Sequence, residues 1–313
     1  MDDKIFCSKG VPILKWRHIM KTSQNMKVLE YYSSHGEITD PGEYGSLFKE
    51  LPMDIRTICK IVQDLIIHDM WLKRYGIDVE KIHVQKELKL FLVKDRIKRI
   101  LELDSRPFTK ERSFEKRSIG CCRDFSTVLC SIFRQKGVPS RARCGFAKYF
   151  SPPYYFEDQW ICEYWCAEQK RWIKVDPQID EFQRDCLHIN FNTCDIPENE
   201  FIVAGKAWNM CRNEGYDPQR FGLNNVHGLW FIRGNLVRDL ASLNKFETVP
   251  YLVGIPWNLW KIMNPDYQLN NLQTEILDHV ASLTQTPNQT FDKIIKIYNK
   301  HVFLRPKGNW KIE

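Results

Sequence analysis

Residues 120–139 restrict the fold of this chain more than any other stretch. After Cys122, apolar side chains recur at helical spacing, and Gly137 followed by Pro139 is a signal that ends a helix. The pattern predicts a buried helix that begins at Cys122. Unpaired backbone N–H groups, the positive end of the helix dipole and the adjacent Arg123 all favour a thiolate there. We therefore interpret Cys122 as a nucleophile, although most free cysteines are buried small hydrophobes.

The composition is typical of a globular protein with a substantial core. Of 313 residues, 43% are hydrophobic and 13% are aromatic, which is enough to build one. No apolar run is long enough to span a membrane, and the first residues do not resemble a signal peptide. The eleven cysteines include no Cys-x-x-Cys pair, which argues against a disulfide framework or a four-cysteine zinc site. We expect a cytoplasmic protein with reduced thiols.

Two further features suggest ligands only at first sight. Cys186, His188 and Cys194 lie close in sequence, but their spacing matches no metal-ligand pattern. The net charge of +7 is concentrated in stretches such as 94–99 and 110–112, where acidic residues are interleaved. Such stretches are typical of a solvated helix face. We therefore predict no metal, no nucleic-acid partner and no membrane partner.

Helical periodicity dominates the chain before the central stretch. Residues 1–40 are predicted to be an irregular or partly helical lead-in. Pro52 suits the first turn of a helix that runs to about Gly76 and carries His68, and a second helix is predicted at 84–103. A lone histidine on a helix is more often packed or exposed than catalytic, so we assign His68 no role.

Strand patterns follow the central helix. Residues 140–146 alternate as in a strand, and the aromatic and β-branched runs 160–165 and 171–176 predict a β-hairpin. Helical spacing returns near Leu236 and again at about 274–283 and 291–298. We predict one compact α+β domain. Its segments are a lead-in at 1–40, a helical segment plus core at 41–205, and a mostly helical extension at 206–313.

The turn of the hairpin determines which residues face each other. If it is centred between Ala167 and Glu168, the numbers of opposed residues sum to 335. Gln159 would then lie opposite Asp176 at the open end of the hairpin.

In order and spacing, these elements resemble the transglutaminase-like branch of the papain-like fold. The motifs that carry the resemblance are Cys-Arg-Asp-Phe at 122–125, Gly-Val-Pro-Ser-Arg at 137–141, Gln-Trp at 159–160 and Trp-Ile-Lys-Val-Asp at 172–176. The segments 44–75 and 228–245 are also similar to a bacterial subgroup of transglutaminase-like proteins, so the resemblance covers residues 40 to 250. It implies a nucleophile helix packed on an antiparallel sheet.

The resemblance also implies a chemistry. Cys122 would be the nucleophile and Asp176 the group that orients and charges the base, in an acyl transfer on a peptide or amide substrate without a cofactor. The backbone N–H of Cys122, which Gly120 leaves open to close approach, would help to stabilise the oxyanion.

The sequence departs from the family at the base. Next to Trp160, where the family has histidine, this chain has Gln159; another register would bring Asp158 there. In either register the gap persists, because no histidine lies between His83 and His188. Glutamine has no proton that titrates near neutrality, and loss of a general base typically costs about 10² to 10⁴ in rate.

Several explanations stay open at this point. A histidine from elsewhere, such as His188 or His227, could complete the site. Alternatively, the chain is a pseudoenzyme that binds a peptide or amine, or an active enzyme changed at one position. A scaffold protein with buried cysteines is a further reading. We predict a cysteine hydrolase or transamidase impaired at Gln159, with the inactive binding module as the alternative.

Overall fold

The computed structural model describes residues 23–150, 155–248 and 260–306. Within these ranges helices and strands are mixed, which confirms the predicted α+β class. The chain divides into two compact units. The first comprises residues 1–141 and 161–196, and the second comprises residues 142–160 and 197–313. The lead-in before residue 23 lies outside the described residues, and the predicted boundaries at 41, 205 and 206 remain predictions.

The first unit is mostly helical. Its α-helices in the described residues are α1 (Ser23–Tyr32), α2 (Gly45–Lys49), α3 (Ile55–Leu65), α4 (Lys81–Leu88), α5 (Val93–Leu103), α6 (Cys122–Gln135) and α7 (Glu181–Cys186). Its strands are β1 (Ile66–His68), β2 (Ser118–Gly120) and β5 (Arg171–Val175). Strands β3 (Ser140–Ala147) and β4 (Phe156–Cys166) contain residues of both units.

Helix α3 ends earlier than the sequence predicts. Asp54 caps its start by accepting a hydrogen bond from the Thr57 N–H at 2.8 Å. After Leu65 the chain turns directly into β1, which pairs in parallel with β2. The β-branched Ile66 and Ile67 favour a strand, and β2 offers the backbone partners that a longer helix would have supplied. The prediction that His68 lies on a helix was therefore wrong.

The helix predicted at 84–103 is divided into α4 and α5. Arg96, on α5, explains the break between them. Its guanidinium donates hydrogen bonds to the carbonyl oxygens of Glu87, at 3.1 Å, and of Leu90, at 3.4 Å. These bonds satisfy carbonyl groups that a continuous helix would have paired internally.

Helix α6 confirms the central prediction about the fold. It begins at Cys122, and Gly137 follows its end with a φ of 72°, in the left-handed region that glycine adopts readily. The sulfur of Cys130 lies 3.3 Å from the sulfur of Cys162 on β4. The Phe133 ring stacks on Tyr164 of the same strand with centroids 5.0 Å apart. A buried helix thus packs on the sheet, as the resemblance implied.

The predicted hairpin is formed by β4 and β5. Cys166 pairs with Arg171 and Cys162 pairs with Val175, so the numbers of opposed residues sum to 337. Four residues, 167–170, form the turn, which centres it one residue later than predicted.

This register corrects the expected placement of Gln159. When this register is continued by one residue beyond the end of β5, Ile161 lies opposite Asp176. The predicted pairing of Gln159 with Asp176 was therefore wrong. Because side chains alternate between the two faces of a strand, a shift of two residues leaves every side chain on its predicted face.

The second unit carries the remaining helices. In the described residues they are α8 (Ala204–Asn213), α9 (Leu229–Leu243), α10 (Asn271–Gln285) and α11 (Phe291–Lys300), and the strands are β6 (Phe201–Val203), β7 (Phe221–Leu223) and β8 (Val226–His227). Helices α10 and α11 confirm the predictions at 274–283 and 291–298, while α9 begins seven residues before the predicted Leu236.

The strands form two sheets. Strands β1 and β2 make a parallel pair, and the larger sheet has the order β6-β3-β4-β7-β8, with β5 also paired to β4. The larger sheet is antiparallel at β3 with β6 and at β4 with β5 but parallel at β4 with β7. Among the described helices none is both long and apolar enough to cross a bilayer.

Candidate functional site

The small parallel sheet lies directly before the helix that begins with the candidate nucleophile. The Glu87 carboxylate accepts hydrogen bonds at 2.7 Å from both the Ser118 hydroxyl and the Ile119 N–H on β2. Arg99 donates to the other oxygen of this carboxylate at 2.8 Å. Strand β2 is therefore held in place immediately before the chain turns into α6.

Cys122 is the first residue of α6 and is buried, as the sequence predicts. Cys121 is the residue before the helix, and its N–H donates to the Asp124 carboxylate at 2.9 Å. This is the reciprocal half of a capping box, in which the third helical residue reaches back to the cap. The arrangement fixes the backbone on both sides of the Cys122 thiol.

The Asp124 carboxylate lies between two buried arginines. Arg96 approaches it to 3.0 Å and Arg123 donates to it at 2.9 Å. Burial alone would raise the pKa of Asp124, but these two cations and the Cys121 N–H outweigh it and lower the pKa. Arg123 also donates to the Phe91 carbonyl at 2.8 Å. The cation expected beside the thiol is thus balanced by a carboxylate.

Gly120 serves packing inside the first unit. A Cβ atom there would lie 3.0 Å from the Asp124 Oδ2 and 3.0 Å from the Ile66 Cγ2. The space that we expected to admit a substrate carbonyl is thus occupied by the carboxylate that caps α6.

The two adjacent thiols are unequal. Hydrogen bonding with the Cys122 thiol, followed by burial and the Asp124 charge, raises the pKa of Cys121 well above its ordinary value. Cys121 therefore keeps its proton at neutral pH and can donate it toward the sulfur of Cys122. The Cys121 thiol is therefore a hydrogen-bond donor beside Cys122.

His68, which was assigned no role from the sequence, is a titratable group near the start of α6. It pairs with Gly120 across the parallel sheet, and its ring stacks on Phe125 of α6 with centroids 6.3 Å apart. Its Nδ1 lies 3.1 Å from the Asp69 carboxylate. Burial lowers the pKa of His68, but Asp69, Cys121 and Asp124 outweigh burial and raise it. The β-branched pair before His68 was the available signal that β1 is not a helix.

Asp176 follows β5 in the first unit and is almost completely buried. Its N–H donates to the Thr193 carbonyl at 2.9 Å, and its carboxylate accepts from the Gln178 N–H at 2.9 Å. Gln159 is buried on the part of β4 that belongs to the second unit. Cys122 and Asp176 thus share the first unit, while Gln159 belongs to the other.

The alternatives to Gln159 have partners in the second unit. The Asp158 carboxylate accepts a hydrogen bond from Asn235 at 2.6 Å and lies 3.4 Å from Arg238. Burial raises the pKa of Asp158 despite the opposing effect of Arg238. His227 on β8 is hydrogen-bonded to the Tyr155 hydroxyl at 2.9 Å. Asp158 thus has a structural environment of its own.

A thiol with a lowered pKa lies elsewhere in the first unit. Cys59 and Cys194 line a cavity of about 840 Å³. Hydrogen bonding with Cys59, supported by Arg56 and Arg184, lowers the pKa of the partly exposed Cys194 against the effect of burial. Among the described residues, no group of three or more His, Cys, Asp or Glu side chains is arranged to hold a metal ion.

The chain was compared with known proteins. Residues 94–177 match the transglutaminase-like superfamily, and this segment contains Cys122, Gln159 and Asp176. No curated protein gives a significant match. A solved structure, described as "a Putative Cysteine Protease from Cytophaga hutchinsonii", is 14% identical, with a TM-score of 0.32 over 62% of this chain. The match spans about half, 48%, of that structure's own chain.

Proposed function

We propose that the transglutaminase-like domain at residues 94–177 is a cysteine acyl-transfer site with Cys122 as its nucleophile. One observation carries the proposal: within the matched segment, Cys122 is the first residue of a buried 14-residue helix. A thiolate at this position is stabilised by the positive end of the helix dipole. The substrate class is a peptide or another amide.

The reaction would proceed in two stages. The Cys122 thiolate attacks the carbonyl carbon, and a C–S bond forms while the carbonyl oxygen gains the negative charge. That oxyanion is stabilised by the positive end of the α6 dipole. The C–N bond then breaks, the amine leaves with a proton, and a thioester remains. Water or a second amine attacks the thioester and regenerates the thiol.

Gln159 limits this chemistry. In the family the residue at this position accepts a proton and Asp176 orients it, but a glutamine amide can only hold a hydrogen bond. In a chain with no other base, turnover would be about 10² to 10⁴ below that of a chain with a histidine there.

The same glutamine favours a second candidate function. A domain that keeps its fold but loses its base can bind a peptide or amine without converting it. In that case Cys122 is a packed thiol, and the ligand is retained rather than released as product.

Acylation by p-nitrophenyl acetate distinguishes the two functions. The wild-type chain, Cys122→Ala and Gln159→His are incubated with the ester, p-nitrophenolate release is followed, and the acetylated cysteine is located by mass spectrometry of peptides. Cys130→Ala, on the same helix, is the matched control.

We expect an acetyl thioester on Cys122 in the wild-type chain, none in Cys122→Ala, and faster turnover in Gln159→His. An unchanged rate of p-nitrophenolate release in Cys122→Ala would contradict the acyl-transfer proposal. Failure of Gln159→His to accelerate turnover, with no thioester on Cys122, would favour the binding module.

A further inference from the structure

We propose that His68, oriented by Asp69, is the general base for Cys122 and replaces the histidine that is missing at Gln159. The inference rests on the proposed function, since a base has a role only if Cys122 is a nucleophile. It assigns a catalytic residue that lies outside the matched segment 94–177.

The fold carries His68 to the beginning of α6. In the parallel sheet His68 is the partner of Gly120, two residues before Cys122. Its ring also stacks on Phe125, at an interplanar angle of 21°. Phe125 is three residues after Cys122, so the two side chains project from the same face of the helix. Two independent contacts thus place the imidazole against the helical turn that carries the nucleophile.

Asp69 gives the imidazole the orientation that a base requires. When Nδ1 carries the proton, it donates to the Asp69 carboxylate 3.1 Å away, and the lone pair is on Nε2. The Met70 N–H, 3.2 Å from the same Nδ1, favours the opposite tautomer. The carboxylate is the stronger partner because its hydrogen bond is charge-assisted. His68 and Asp69 thus supply the second and third members of a triad.

The thiol pair defines the path of the proton. Cys121 lies within electrostatic range of His68 and is hydrogen-bonded to Cys122, and it keeps its own proton. In the proposed step, the proton that leaves the pair is the one on Cys122. It passes to the imidazole, which becomes imidazolium, and the thiolate attacks the carbonyl carbon. As the C–N bond breaks, the imidazolium returns the proton to the leaving amine.

The charges around His68 suit this exchange. Asp69 faces it from its own segment, and Asp124 faces it from the start of α6. Arg96 and Arg123 both contact the Asp124 carboxylate and oppose its charge, so Asp69 is the main support for a protonated imidazole. The raised pKa of His68 makes it a stronger base and places its inflection above 6.5.

The test measures the rate of Cys122 acylation by p-nitrophenyl acetate against pH in the full chain. The variants are His68→Gln, Asp69→Asn and, as a matched control, His279→Gln on the exposed face of α10. Thermal unfolding of each variant establishes that it folds.

We expect His68→Gln to slow acylation of Cys122 at pH 7.5 by about 100-fold and to remove one inflection from the pH profile. Asp69→Asn keeps the imidazole but removes its carboxylate, so the inflection moves to lower pH. His279→Gln leaves both rate and profile unchanged. A purely structural role for His68 would not produce the shift in Asp69→Asn.

The outcomes separate the two proposals. If wild-type Cys122 is not acylated, the proposed function fails. If wild-type Cys122 is acylated and a folded His68→Gln shows the same rate and profile, the assignment of His68 alone is overturned. If His68→Gln does not fold, an unshifted profile in Asp69→Asn overturns it.

Discussion

Each of the two units contains a buried carboxylate–arginine cluster, and the two clusters differ in what lies beside them. In the first unit, Asp124 is balanced by two arginines at the start of α6, next to His68 and a pair of thiols. In the second unit, Arg143 on β3 and Asp239 on α9 form two parallel hydrogen bonds of 2.8 Å.

The neighbours of the second pair are backbone groups. Asp239 accepts from the Cys144 N–H at 3.1 Å, and Arg143 donates to the Thr284 carbonyl at 2.8 Å. Cys144 is buried in a strand, and burial is the main reason that its pKa is raised. In the second unit, a carboxylate–arginine interaction therefore joins a strand to a helix. In the first unit, a similar interaction lies beside titratable groups. Asp124 lies at a helix start, where the dipole favours an anion, whereas Asp239 lies within a helix.

The largest effect is expected when the buried pair of Arg143 and Asp239 is broken. Asp239→Asn leaves Arg143 buried without its counter-charge, so the free energy of unfolding should fall by about 3–5 kcal/mol. Chemical denaturation measures this loss, with Lys206→Ala at an exposed ion pair as the control, which should change by about 0–1 kcal/mol. Acylation of Cys122 should be unchanged; a change in its rate would mean that the two regions are not independent.

Asp124→Asn sharpens the comparison. It leaves two buried arginines without their carboxylate, and we expect a loss of about 3–5 kcal/mol in the free energy of unfolding here too. Because the Asp124 charge contributes to the raised pKa of Cys121, its removal lowers that pKa. Cys121 should therefore label faster with iodoacetamide at a given pH. An unaltered labelling rate would show that Asp124 acts only as a cap.

Gly120→Ala probes the contact between cap and strand. The added Cβ meets the Asp124 carboxylate and Ile66 at 3.0 Å each, which forces a shift in a packed region. We expect a loss of about 1–3 kcal/mol in the free energy of unfolding, measured by denaturation. Wild-type stability in this variant would indicate that the carboxylate moves aside without cost.

The smallest effect is the dependence of stability on pH through His68. Its pKa in the folded chain is raised above 6.5, chiefly by Asp69 against burial. The stabilisation of the folded chain by protonated His68 is fully present below pH 6.5. It is lost as the pH rises through the folded pKa of His68. The stability difference between wild type and His68→Gln should therefore shrink from pH 6 to pH 8.5. A difference that grows over this range would mean that burial prevails and the pKa is lowered.

Local patterns predicted the elements whose signals are local. Helix α6, the strand at 140–146 and the last two helices follow from periodicity and from stop signals such as Gly137. The position of His68 does not, because β1 exists through its pairing with β2, a segment some 50 residues away. For the same reason, the register of β4 with β5 depended on a turn whose centre the sequence left uncertain by one residue.

The candidate site also contains features that the sequence predicts and features that it does not. Cys122 at the helix start was predictable from spacing and motif. The pairing of Arg123 with Asp124 and the approach of His68 to the helix were not, because both depend on which side chains meet in the folded chain. The segment around Asn235 illustrates this too: its similarity to the family was visible, but its hydrogen bond to Asp158 was not.

The most direct test of the central claim is iodoacetamide labelling of Cys122, resolved by site with mass spectrometry near pH 7. It is best done in Cys194→Ser, because the lowered pKa of Cys194 favours labelling of that thiol too. Cys130 and Cys144 are internal references, being buried thiols away from a helix start. If Cys122 is a nucleophile, it labels faster than both. Labelling of Cys122 no faster than of these two thiols would contradict the account.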